Sequence, residues 1–128
     1  MFTDIHIKVI PHGCHRYETF GDYWIDERGV LQIRVSRFAD PRIARNTAVH
    51  EMLEACRCAA RGLSFEEIDK FDLAHLDHED PGCLPDAPYH AEHMQSMEVE
   101  RLLVSQDGAD WSEYYNAAPI PFTGGTAP

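Results

Sequence analysis

The sequence predicts an α+β domain: a small N-terminal antiparallel sheet of about three strands, packed on two main helices plus a short helix. Near the N-terminus, apolar and polar residues alternate, as in half-buried strands. From about residue 41 onward, apolar residues recur every three or four positions, as in amphipathic helices. A length of 128 residues suits one core. We therefore expect one domain over residues 1–116 and a disordered tail rich in Pro, Gly and Thr over residues 117–128.

The strand signals lie in the first third of the chain. Residues 4–10 alternate Ile5, Ile7 and Val9 with polar residues, and the strand should end at the turn beginning with Pro11. Residues 23–26 and 30–35 carry a second and a third apolar pattern, separated by a short turn that ends at Gly29. This arrangement predicts a β-hairpin and completes the antiparallel sheet.

Helix boundaries are marked by capping residues. Asp40 is a suitable N-cap, with Pro41 at the first helical position, and Gly62 should end this first long helix. Ser64 should cap a second, shorter helix. A polar loop over residues 75–88 then leads to a third helix that ends near Gly108.

The most informative motif is HExxE, formed by His50, Glu51 and Glu54 inside the first helix. It differs by one residue from HExxH, in which two side chains one turn apart bind zinc and the glutamate acts as general base. His50 and Glu54 are one helical turn apart, so they project from the same face. Because zinc accepts a carboxylate oxygen as well as an imidazole nitrogen, this pair can supply two ligands.

A catalytic zinc site requires a third protein ligand and an open position for water. The third predicted helix offers His93 as the first choice and His90, one turn earlier, as the second. Glu51, next to a ligand, is then the general base. Two imidazoles and a carboxylate also suit iron or manganese, so the sequence favours Zn²⁺ without excluding these ions.

The same helical residues have a simpler interpretation. His50 and Glu54 share a helix face with Arg57 and Arg61, so the motif could be a solvated surface on which Glu54 pairs with an arginine. Two further clusters contain potential metal ligands. We interpret residues 12–15, which contain two histidines and a cysteine, as a turn, and the acidic segment 77–80 as a solvated loop.

The four cysteines form no CxxC pair. We expect free thiols, with Cys56 as a small core residue. The net charge of −11 argues against nucleic-acid and anionic-membrane partners. With no secretion signal or membrane span in the sequence, a cytoplasmic location is expected. Oligomeric state stays open, although Trp111, Tyr114 and Tyr115 could serve an interface.

The small sheet, the helix carrying His50 and Glu51, and the later helix with a third ligand resemble the minimal form of the zincin metallopeptidases. This resemblance implies that the strand at residues 29–37 lines the cleft and pairs with an extended peptide substrate. Residues 33–36, 48–55 and 87–93 also look like a group of small uncharacterised proteins encoded by phages and prophages. That similarity implies a bacterial or phage-infected host cell.

These observations favour a zinc-dependent hydrolase, most simply a metallopeptidase, in which His50, Glu54 and His93 bind the metal and Glu51 is the base. Its substrate would be a peptide or a small molecule. The alternative is a non-enzymatic module whose metal site is closed by a fourth protein ligand, such as His90 or Glu92. A third interpretation is a protein-interaction domain without metal.

Overall fold

The computed structural model describes residues 2–121 and confirms the α+β class. Its elements, in chain order, are three strands, two helices, a single 3₁₀ turn and two further helices. They are β1 (Asp4–Ile10), β2 (Gly21–Ile25), β3 (Val30–Ser36), α1 (Pro41–Arg61), α2 (Phe65–Ala74), the 3₁₀ turn Pro81–Cys83, α3 (His90–Gln106) and α4 (Trp111–Tyr115). The helix α4 was not predicted.

The sheet is mixed, so the prediction of an all-antiparallel sheet was wrong. The strand order is β1-β3-β2. β2 and β3 form the expected antiparallel hairpin, but β1 runs parallel to β3. Alternating hydrophobicity reports which face of a strand is buried and carries no information on strand direction. Residues 11–20 lead the chain from β1 past β3 to the far edge of the sheet, which makes β1 and β3 parallel.

The predicted capping residues act as expected. The Asp40 side chain accepts a hydrogen bond from the backbone N–H of Arg42, and Gly62 ends α1 in a left-handed conformation with φ of 83°. The Ser64 side chain accepts from the backbone N–H of Glu67 at the start of α2. These local interactions fix both ends of α1 and the register of its HExxE motif.

The two long helices form successive layers and do not both cover the sheet. α1 packs on β2 and β3, whereas α3 packs on α1. On α1, Cys58 is fully buried and Cys56 is partly exposed, so the prediction that Cys56 is the core cysteine was wrong. The stacking of α3 on α1 brings side chains of the two helices together beside the sheet.

The beginning of the predicted tail contacts the residues that follow β1 and β3. The backbone N–H of Ile120 donates to the carbonyl of Arg37 at 2.8 Å, and the N–H of His12 donates to the carbonyl of Ile120 at 3.0 Å. The rest of the predicted disordered tail, residues 122–128, lies outside the described residues. Within residues 2–121, no helix is long and apolar enough to cross a membrane.

Candidate metal centre

The predicted ligands His50, Glu54 and His93 meet in one buried cluster. His50 Nε2 lies 2.9 Å from Glu54 Oε2 and 3.3 Å from His93 Nδ1. His93 Nδ1 lies 3.1 Å from the same oxygen of Glu54. Three potential ligand atoms, two from α1 and one from α3, therefore form a compact triangle.

The dimensions of this triangle match a transition-metal site. Nitrogen and oxygen atoms bound to one tetrahedral zinc at about 2.0–2.1 Å lie roughly 3.3 Å from one another. The three observed separations, from 2.9 to 3.3 Å, approach that value. Two imidazoles and one carboxylate are also a ligand set that leaves a fourth position open in catalytic zinc sites.

Burial rules out the interpretation of the motif as a solvated helix face. His50 is 5% exposed, Glu54 is 4% exposed and His93 is 7% exposed. Glu54 contacts the two histidines, while Arg61 pairs with Glu92 at 2.6 Å. The predicted pairing of Glu54 with an arginine of α1 is therefore not formed.

Each predicted ligand also contacts a further polar side chain, through an atom that is not part of the triangle. Oε1 of Glu100 lies 2.7 Å from His50 Nδ1, and Oδ1 of Asp80 lies 3.1 Å from His93 Nε2. The hydroxyl of Tyr23 donates to Glu54 Oε1 at 2.9 Å. Carboxylates behind metal-binding histidines fix the ring orientation and increase ligand basicity.

Sequence reasoning missed these outer partners. Glu100 follows His93 by two helical turns on α3, and this spacing was an available signal for it. Asp80 comes from the loop before the 3₁₀ turn and Tyr23 from β2, and no local pattern connects either residue to the motif. The acidic loop was interpreted as solvated, but its last residue, Asp80, belongs to the centre.

The electrostatics of the cluster favour a cation. Despite burial, which disfavours the charged form, contacts with carboxylates raise the pKa of His50 to about 10 and that of His93 to about 11. Burial alone would raise the pKa of Glu54. The contacts with His50 and His93 outweigh burial and lower this pKa to about 2. Both ring nitrogens of each histidine face carboxylates, so without a metal each ring is stabilised in its protonated form, and a bound cation would replace the proton between Glu54 and the two rings.

Glu51 lies beside the cluster without joining it. A Cβ atom built on Gly21 would come within 2.5 Å of Glu51 Oε1, so the carboxylate rests against the backbone of β2. Burial, followed by the nearby charge of Glu54, raises the pKa of Glu51 well above its usual value. A buried carboxyl group with a raised pKa beside the cluster is suited to proton transfer, because it exchanges a proton more readily near neutral pH than an exposed carboxylate does.

Neither residue considered as a fourth ligand joins the group. His90 Nδ1 lies 2.9 Å from the carbonyl oxygen of Gly82. Glu92 accepts hydrogen bonds from Arg61 at 2.6 Å and from the Cys58 thiol at 3.8 Å. A site closed by His90 or Glu92 is therefore not formed by the described residues.

A second possible ligand group consists of Asp80, Cys83 and His93. It uses the other ring nitrogen, because Cys83 Sγ lies 3.7 Å from His93 Nε2. The Cys83 thiol donates to Asp80 Oδ2 at 3.0 Å. A neutral imidazole bound to a metal through Nδ1 retains its proton on Nε2, so Asp80 and Cys83 are suited to surround that N–H.

The N-terminal cluster is organised as a turn, in agreement with its interpretation from sequence. His12 Nδ1 and His15 Nε2 both lie 2.9 Å from the hydroxyl of Ser36, while His12 Nε2 lies 2.9 Å from Glu18. Within residues 2–121, Cys14 is a free thiol and belongs to neither of the two possible ligand groups.

A cleft of about 520 Å³ opens onto the centre. Its lining includes His50, Glu51, Glu54 and His93, together with residues of β2, α2 and the acidic loop. The strand β3 is paired on both sides, so it cannot pair with a substrate peptide as the zincin resemblance implied for residues 29–37. The sheet edge that borders the cleft is β2.

Comparisons with protein-family models, with curated proteins and with solved structures find no match to this chain.

Proposed function

We propose that this protein is a metal-dependent hydrolase in which His50, Glu54 and His93 bind a zinc ion and Glu51 is the general base. A peptide bond is the favoured target, in keeping with the resemblance to zincins. The observation that carries the proposal is the triangle of three buried ligand atoms, beside a carboxylate that does not take part in it. A bound zinc ion would acidify a water molecule and polarise a substrate carbonyl.

The roles of the side chains follow from their contacts. Glu51 takes a proton from the attacking water and passes it to the leaving group. Glu100 and Asp80 hold the rings of His50 and His93 in place from outside the cluster. Tyr23 holds one oxygen of Glu54, which directs the other oxygen toward the two histidines.

Two features favour an open, catalytic site over a closed, structural one. The cleft reaches the three proposed ligands. His90 and Glu92, the side chains expected to close a structural site, are directed to other partners. An accessible position beside three protein ligands is the property that distinguishes catalytic zinc sites.

The first test is the metal content of untagged protein purified without added metal. We expect about one zinc ion per chain in the wild type and in Glu51→Gln, and a loss of the ion in His50→Ala. His6→Ala, which replaces an exposed histidine of β1, serves as the control and should retain the metal. Wild-type protein that binds no zinc, even when zinc is added, would contradict the proposal.

The second test separates catalysis from a structural role. We expect wild-type protein to hydrolyse members of a fluorogenic peptide library, and Glu51→Gln to retain zinc but lose at least about 100-fold in turnover. Equal turnover by Glu51→Gln and wild type would remove the general base from the mechanism. Zinc binding without hydrolysis by either protein would favour the structural module.

A further inference from the structure

The strand β1 is an edge of the sheet. Within residues 2–121 it pairs only with β3 and makes no extensive contact with a helix. In the register of the sheet, Ile5, Ile7 and Val9 lie beside Leu31, Ile33 and Val35 of β3. Those three β3 residues are fully buried on the face that packs against α1. The apolar face of the sheet therefore continues onto β1, beyond the area that the helix covers.

This apolar row is exposed. Ile5 and Ile7 are 44% exposed and Val9 is 40% exposed. A seven-residue edge strand with three adjacent aliphatic side chains is a template for pairing with another strand, although its Val9 carbonyl already accepts a 3.5 Å hydrogen bond from the Arg37 side chain. A partner strand would satisfy the backbone groups and cover the aliphatic row at the same time.

The direction of the free backbone groups limits how a partner can pair. The carbonyl of Ile10 accepts a hydrogen bond from the backbone N–H of Arg37, so Ile10 directs its backbone groups toward β3. Successive residues of a strand alternate in this direction. The backbone groups of Ile5, Ile7 and Val9 therefore point away from the sheet.

The sequence of β1 is complementary to itself when two copies run antiparallel about His6. In that register Asp4 of one copy lies opposite Lys8 of the other, and Lys8 lies opposite Asp4. Ile5 lies opposite Ile7, and these are the residues whose backbone groups point outward. A two-fold contact requires such reciprocity, since each partner presents the same surface. The charge pattern therefore selects a second copy of this chain as the occupant.

We propose that the protein forms a homodimer by antiparallel pairing of β1 with β1 of a second copy, which joins the two sheets into one of six strands. The α1 helices of both copies then lie on the same face, and the two apolar rows meet between them. No residue of β1 lines the cleft at the metal centre, so the dimer leaves that cleft accessible. The proposal is independent of the proposed hydrolase function.

The first experiment measures the mass of the full chain by sedimentation equilibrium over a concentration series. We expect a dimer for wild type and a monomer for Ile7→Lys, because the substitution places a charge in the centre of the apolar contact. Leu102→Lys is the matched control: Leu102 is 57% exposed on α3, and this variant should remain a dimer. A monomeric wild type, or a dimer unaffected by Ile7→Lys, would overturn the proposal.

A cross-linking experiment tests the register. His6 lies opposite its own copy at a position where antiparallel Cα atoms approach to about 4.5 Å, within the range that a disulfide spans. We expect His6→Cys to form a covalent dimer on mild oxidation, at a level well above that of the wild type with its own free cysteines. Lys8→Cys, which faces Asp4 of the other copy, should stay at the wild-type level. Equal cross-linking of both variants would contradict the proposed register.

Discussion

Two glycines hold the backbone against residues of the metal centre. A Cβ atom on Gly21 would lie 2.5 Å from Oε1 of Glu51, and one on Gly82 would lie 2.5 Å from Cγ of His93. Contacts this short force a displacement. The carboxylate of Glu51 is the end of a flexible side chain, whereas the ring of His93 is confined by Glu54 and Asp80. The two glycines therefore leave space for two different residues of the candidate site.

We expect Gly21→Ala to displace the proposed base and Gly82→Ala to displace a proposed ligand. Gly21→Ala should retain its zinc and lose about 100-fold in turnover, the usual effect of misplacing a reacting group by about 1 Å. Gly82→Ala should lose about 10- to 100-fold in zinc affinity. Competition with a chromophoric chelator measures the affinity, and the peptide assay measures turnover.

Each glycine variant is the control for the other, and circular dichroism shows whether each is folded. The prediction fails if folded Gly21→Ala loses zinc, or if folded Gly82→Ala binds zinc with wild-type affinity. Either result would mean that the backbone moves to accommodate the added methyl group, or that the resulting displacement affects a different residue.

At the scale of the elements, Asp72 of α2 connects the segment before β2 to the start of α3. It accepts hydrogen bonds from the hydroxyls of Tyr17, at 3.1 Å, and Tyr89. Burial raises the pKa of Asp72 to about 6, although the two tyrosine hydrogen bonds oppose the shift. The nearby carboxylates of Glu54 and Asp69 act in the same direction as burial. The folded chain therefore binds a proton at Asp72 more tightly than the unfolded chain does.

This proton affinity makes stability depend on pH. The raised pKa of Asp72 stabilises the fold fully when the pH is below the pKa of the unfolded chain, near 3.8. This stabilisation is lost as the pH rises through about 6. We expect the difference in unfolding free energy, wild type minus Asp72→Asn, to fall by about 2 kcal/mol between pH 4 and pH 7. Urea denaturation in the presence of a chelator measures it, and a difference that rises with pH would contradict the prediction.

At the scale of the whole molecule, the candidate metal centre connects α1, α3 and the loop before the 3₁₀ turn. Its predicted ligand Glu54 and the outer partners Asp80 and Glu100 supply three carboxylates against the two imidazoles. A cation that binds only the folded chain stabilises it by mass action. Binding of a metal ion at this candidate site would therefore be coupled to folding.

We expect removal of zinc to lower the unfolding free energy of the wild type. The loss should be about 3 kcal/mol when the free zinc concentration had been about 100 times the Kd. His50→Ala should be insensitive to zinc and chelator alike. Thermal melts of both proteins with and without EDTA measure the effect. An equal response of the two proteins would show that the stabilising ion binds elsewhere.

Much of the fold and part of the site could be predicted from local sequence. The caps at Asp40 and Ser64, the stop at Gly62 and the β2–β3 hairpin depend on interactions within a few residues. The spacing of His50 and Glu54 places both side chains on one face of α1 without reference to any other element. The preference for His93 over His90 depends instead on the expected antiparallel packing of the later helix, because the two histidines were predicted to share one face.

Tertiary structure alone decided the remaining features. The parallel direction of β1, the exposure of its apolar row and the burial of His50 and Glu54 depend on how elements pack. Asp80 and Tyr23 reach the centre from a loop and a strand far apart in sequence. A local sequence pattern predicts the hydrogen bonds of one helix or strand and the face that it buries. The contacts named here depend instead on the paths of the loops and on the order in which the helices and the sheet are stacked. Short-range propensities do not specify those long-range features.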